Sequence, residues 1–129
     1  MSERINYPSG AKWEEIIGYC RAVQVGNTLE VSGTVAADEN GVVGKGDVYL
    51  QTRFIIQKIE KAMNKAGFAL TDVVRTRVYV TDISQWQKVA EAHAEFFVGI
   101  KPASSLVEVK GLIDPEYLVE IEATAIKTK

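Results

Sequence analysis

The chain has 129 residues, 47% hydrophobic and 25% charged, which suits one globular domain spanning residues 1–129 and argues against disorder. Its 15 basic and 17 acidic side chains leave a formal net charge of −2, so nothing draws it strongly to nucleic acid or an anionic membrane. One cysteine, Cys20, excludes an internal disulfide and a cysteine-based zinc site. No apolar run of signal-peptide or membrane-spanning length occurs, so a cytoplasmic location is expected, and no constellation suggests a metal or other cofactor.

In chain order, residues 1–15 look like a polar lead-in, with Pro8-Ser9-Gly10 as a turn signal. Strands are expected over 19–25 and 28–35, joined by a tight turn at Gly26-Asn27. A loop with three glycines covers 37–46. Asp47 then suits a helix N-cap and Gly67 a helix stop, with Ile55, Ile59, Ala62, Met63 and Ala66 forming one buried stripe between them. A β-branched strand follows over 72–80. Ser84 with Gln87 reads as a capping box for a second helix, whose stripe is Trp86, Val89, Ala90, His93 and Phe97, ending near Gly99. Strands over 103–109 and 118–126 close the chain, the latter introduced by Asp114-Pro115. The fold class is α+β, a mixed sheet with two helices on one face, in the order β-β-α-β-α-β-β.

Strand alternation divides the residues between two faces. Leu29, Val31, Val35, Val74, Val78, Val80, Val107, Val109, Val119, Ile121, Ala123 and Ala125 are assigned to the helix side. The other side receives Glu30, Ser32, Thr34, Arg75, Arg77, Tyr79, Ser104, Leu106, Glu108, Glu120 and Glu122. A face with this mixture is either open to solvent or a polar subunit interface, and Tyr79 and Leu106 among opposite charges favour the interface.

These segments resemble a known family. Gly18-Tyr19-Cys20-Arg21-Ala22-Val23, Gly26-Asn27 and Val31-Ser32-Gly33 are similar to a G-P-Y-S-Q-A-V…G-N…S-G opening. Gln51-Thr52, Asp72-Val73-Val74-Arg75-Thr76, Val78-Tyr79-Val80-Thr81-Asp82, His93, Phe96-Phe97, Pro102-Ala103, Val107-Glu108-Val109 and Glu120-Ile121-Glu122-Ala123 continue the pattern over residues 16–126. The family is the RidA group, also called YjgF or L-PSP endoribonuclease-like. The resemblance implies a chorismate-mutase-like fold, a homotrimer, and small-molecule clefts between subunits. It also implies hydrolysis (deamination) of reactive enamines or imines released by pyridoxal-phosphate enzymes.

In such members an arginine in a P-A-R-S segment holds the substrate carboxylate, and a glutamate opening the E-I-E-A segment positions the attacking water. Glu120 matches that glutamate, Tyr19 a cleft tyrosine, and Gly33 the glycine whose main chain completes the site. Ser104 stands where the arginine belongs. Exchanging a bidentate guanidinium for one neutral hydroxyl costs about 2–4 kcal/mol of carboxylate binding, which implies a different substrate. Arg21 stands where the family has glutamine and projects from the same side as Tyr19, so it is a candidate replacement clamp.

Each candidate has a plainer role: an ion pair with Arg75 or Arg77 for Glu120, hairpin packing for Tyr19, a rim arginine for Arg21, close strand packing for Gly33 and a small strand residue for Ser104. His93 reads as a satisfied core or interface histidine and Cys20 as a packed thiol. Three functions follow: an imine or enamine hydrolase, a non-catalytic metabolite-binding trimer and, last, an endoribonuclease. One histidine and a negative net charge disfavour the third.

Overall fold

The computed structural model describes residues 3–128. Its elements are β1 (Arg4–Tyr7), α1 (Lys12–Ile17), β2 (Ala22–Val25), β3 (Thr28–Thr34), β4 (Ala37–Asp38), β5 (Gly41–Val42), α2 (Val48–Lys65), β6 (Val73–Val80), α3 (Trp86–Phe97), β7 (Ala103–Glu108) and β8 (Val119–Ile126). Six strands form a mixed sheet in the order β1-β2-β3-β8-β6-β7, in which only β6 and β7 run parallel. β4 and β5 make a separate small hairpin within the expected glycine loop.

Local chemistry accounts for most element ends. Gly26 takes a positive φ of 61°, which the two-residue β2–β3 turn requires. The Asp47 side chain accepts from the Leu50 amide at 3.0 Å and caps α2. Gly67, with φ +83°, ends that helix by letting Phe68 donate back to the Met63 carbonyl at 2.9 Å. Ile55, Ile56, Ile59 and Met63 are buried against the sheet, and each such side chain contributes about 1.5–3 kcal/mol of apolar burial. Val31, Val78, Val80, Val119, Ile121, Ala123 and Ala125 meet them from the sheet.

The lead-in is structured. β1 pairs antiparallel with β2, and α1 follows the expected Pro8-Ser9-Gly10 turn. Glu14 pins that turn: its buried carboxylate accepts the Ser9 amide and hydroxyl, while its carbonyl receives the amides of Gly18 and Tyr19. β1 is exposed along most of its length and α1 has six residues, so neither leaves a periodic apolar signature.

Two bulges reverse parts of the expected alternation. The β3–β8 register steps from Val31↔Ala123 to Thr34↔Ile121, three residues against two, so Thr34 enters the core where Val35 was expected. A second shift, between Val73 and Arg75, buries Val73 and leaves Val74 41% exposed.

α3 also differs from expectation. Asp82 accepts from the Ser84 amide and hydroxyl, and a 3-10 turn over Ile83–Gln85 precedes the helix, so the Ser84–Gln87 capping box does not form. Trp86 and Ala90 face outward, and Ala92 replaces them beside Val89 and Phe97 in the buried stripe. The faces of β7 are exchanged as well. Its parallel register pairs Thr76 with Ser104 and Val78 with Leu106, which puts Ser104 and Leu106 on the helix side and leaves Val107 44% exposed on the other.

Candidate functional site

The bulge at Ser32-Gly33 positions the best-formed polar cluster. Glu120 lies on β8 opposite Tyr79 and is half-buried against the Gly33 backbone. A Cβ built on Gly33 would collide with the Glu120 carboxylate, so the glycine serves close approach rather than an unusual φ. Arg21, at the base of the β2–β3 hairpin, donates from Nη2 to the Gly33 carbonyl at 2.6 Å. The hairpin end is fixed by the Ser32 amide bonding the Arg21 carbonyl at 3.0 Å and the Ser32 hydroxyl bonding the Cys20 carbonyl at 2.7 Å.

Burial, with Glu122 nearby, raises the pKa of the Glu120 carboxyl above its usual range, and the Arg21 charge partly opposes this. Glu122 is otherwise engaged, 3.7 Å from Arg77 and accepting from the Tyr79 hydroxyl at 3.2 Å. Arg75 donates to the Ser105 hydroxyl at 2.8 Å. Neither arginine forms the ion pair with Glu120 that its plainer reading required.

Tyr19, Arg21, Gly33 and Glu120 line one open groove of about 1580 Å³. Trp13 and Ile17 of α1 supply an apolar flank, and Lys58 of α2 a partly buried cation beside Arg21. Sequence reasoning missed these three. The short helix α1 left no sequence signal for the first two, whereas Lys58 follows Phe54 by four residues and Ile55 by three, at the margin of the buried stripe.

Ser104 does not join this group within one chain. Its hydroxyl lies 2.7 Å from that of buried Thr76, which in turn lies 3.0 Å from His93 Nε2, on the helix side of the sheet. His93 stacks on Phe97 with ring centroids 4.6 Å apart, and burial lowers its pKa. Among the described residues, no three His, Cys, Asp or Glu side chains gather as metal ligands, and no helix is long and apolar enough to cross a membrane.

The fold as a whole agrees with that of known proteins. The family model described as Endoribonuclease L-PSP matches residues 10–127. The chain belongs to the endoribonuclease L-PSP (RidA/YjgF) family. RutC family protein PH0854 of Pyrococcus horikoshii is 38% identical over 110 residues, covering 84% of this chain and 86% of its own. The crystal structure of Rv2704 from Mycobacterium tuberculosis, described as a member of the YjgF/YER057c/UK114 family, matches with a TM-score of 0.88 and 46% identity over 97% of this chain and 100% of that one. YyfA of Yersinia pestis, from the Rid protein family, matches with a TM-score of 0.84 and 29% identity over 97% and 100% of the two chains. An α+β sheet with α2 and α3 on one face is thus the fold of the L-PSP family, and α1 is an addition to the expected pair of helices.

Proposed function

We propose that this L-PSP family chain is a homotrimer that hydrolyses small imines or enamines in clefts between subunits, with Glu120 as the group that handles the water's proton. The carrying observation is the Glu120 carboxylate, half-buried against Gly33 with a raised proton affinity, at the wall of a groove open to small molecules. A carboxylate that holds protons more tightly than usual is better matched to proton transfer near neutral pH. In the reaction, water held by Glu120 adds its oxygen to the imine carbon while its proton passes to the carboxylate. That proton returns to the nitrogen of the resulting adduct, the hydroxyl proton follows to the same nitrogen by way of the carboxylate, the carbon–nitrogen bond breaks, and a carbonyl compound and ammonia leave. An enamine first takes a proton at carbon to become the imine. No cofactor is needed for any step.

The trimer brings together halves that one chain keeps apart. Ser104 lies on edge strand β7, on the opposite side of the sheet from Glu120, so a neighbouring copy is the route by which it reaches a groove containing Glu120. The uncovered sheet face, with Val25 and Val107 exposed beside paired charges, suits such a contact. Ser104 in place of an arginine removes the family's usual carboxylate clamp from that position. The same feature supports a second reading, a metabolite-binding trimer without catalysis, because a neutral hydroxyl engaged with Thr76 offers no carboxylate clamp. RNA cleavage is the weakest reading, since the chain's single histidine lies on the sheet-facing side of α3 and bonds Thr76.

The test is the release of ammonia from freshly generated 2-aminoacrylate, timed against the spontaneous rate. Acceleration by the protein, and its loss in Glu120→Gln, supports the hydrolase. Binding of small carbonyl compounds without acceleration leaves the metabolite-binding reading in its place.

A further inference from the structure

Of the four cations along the groove, Lys12, Arg21, Lys58 and Lys61, only Arg21 and Lys58 are partly buried, and neither has a counter-ion within ion-pair distance. Among the described residues the ion pairs are Lys45–Glu116, Arg53–Glu95 and Arg77–Glu122, and neither Arg21 nor Lys58 belongs to one. Both are held by main-chain oxygens of the same stretch of chain instead. Arg21 Nη2 donates to the Gly33 carbonyl at 2.6 Å, and Lys58 Nζ donates to the Ala37 carbonyl at 2.9 Å.

These contacts leave strong donors unused. Arg21 Nε is buried without a hydrogen-bond partner, and an ammonium has two further protons beyond the one that Ala37 accepts. Burial lowers the Lys58 pKa, and the Arg21 charge lowers it further, with Asp38 acting in the opposite sense. The acids along the groove, Asp38, Glu39, Asp114, Glu120 and Glu122, all stay beyond ion-pair distance of both cations. Two like charges that repel each other while partly removed from water, each with vacant donors, are suited to an added anion.

We propose that Arg21 and Lys58 form an anion subsite of the groove, which takes the carboxylate of a 2-oxo or 2-imino acid and so replaces the arginine missing at position 104. The subsite rests on the cleft reading above. It places the anionic end of the ligand at the Gly33–Ala37 side, and the reacting carbon toward Glu120, whose carboxylate abuts Gly33. The chemistry is that of a charge-assisted, partly desolvated contact, for which guanidinium and ammonium are suited and a serine hydroxyl is not.

The experiment is a calorimetric titration of the full-length protein with 2-oxobutanoate, with its neutral methyl ester, and with inorganic phosphate. The variants are Arg21→Gln, Lys58→Gln and Lys58→Met, the last keeping the packed side-chain stem, with exposed Lys65→Gln as control. Each subsite variant is expected to weaken 2-oxobutanoate binding about tenfold or more, while Lys65→Gln stays near the wild type. The ester is expected to bind the wild type no better than the oxo acid binds Arg21→Gln. Phosphate binding that shows the same dependence identifies a general anion site, whereas binding of 2-oxobutanoate alone identifies a carboxylate site.

Folded variants that retain wild-type affinity overturn the proposal, as does a wild type that binds neither anion at millimolar concentration. Glu120→Gln separates the two ideas. If it stops hydrolysis but still binds 2-oxobutanoate through Arg21 and Lys58, both stand. Anion binding without any wild-type hydrolysis removes the catalytic reading and keeps the subsite. Hydrolysis that survives loss of both cations, with anion binding unchanged, removes only the subsite.

Discussion

Glu120 is held by a backbone that offers no room for any side chain at position 33. Gly33→Ala must therefore displace the carboxylate, and the local adjustment should cost about 1–3 kcal/mol of stability. Catalysis should fall further, because a misplaced water-handling group loses about tenfold or more, and kcat/KM measured beside a urea titration distinguishes the two effects. The same carboxylate has a stability consequence of definite sign. Its pKa is raised on folding, mainly by burial, so its contribution favours the fold below the ordinary glutamate value of about 4.3 and is lost as pH rises through the higher folded value. Glu120→Gln should accordingly match or exceed the wild-type Tm at neutral pH, with the difference vanishing in acid. A variant markedly less stable at neutral pH would show that attraction to Arg21 outweighs burial.

At the scale of elements, α2 does more than cover the sheet. Gln51 is fully buried, donates to the carbonyls of Gly44 and Glu116 at 3.2 and 3.0 Å, and accepts from the Leu118 amide at 2.9 Å. It ties the loop before α2 and the approach to β8 to one helix, and β8 carries Glu120. Gln51→Leu leaves these main-chain groups without partners and should lower stability by about 2 kcal/mol or more, read from the urea midpoint. Faster hydrogen exchange at the Leu118 amide would locate the damage. The bulges act at the same scale. One extra residue in β3 moves Thr34 inward and turns Gly33 to Glu120, an arrangement that strict alternation cannot produce.

The whole molecule presents an uncovered sheet face, an edge strand and a groove that holds four of its five expected residues, all but Ser104. Light scattering should return three times the 14.2 kDa chain mass, and Val107→Lys, on the exposed side of β7, should shift the protein toward smaller species. A stable monomer would remove the intersubunit cleft and with it the route by which Ser104 meets Glu120. Activity that rises with protein concentration in the variant would connect assembly to function.

Local signals were enough for the β2–β3 turn, for both ends of α2, for the buried alternation of Val119, Ile121, Ala123 and Ala125 in β8, and for the family, whose motif residues lie in order along the chain. These depend on neighbours a few residues apart, where backbone preference and side-chain period act directly. What the sequence left open depends on partners far along the chain. Lys58 meets the groove only because Ala37 lies beside α2, Glu14 is buried only because Ser9 folds back onto it, and Ser104 faces α3 because β7 pairs with β6 in a particular parallel register. A one-residue shift in a strand exchanges its faces, and such shifts come from packing between elements rather than from the strand's own residues.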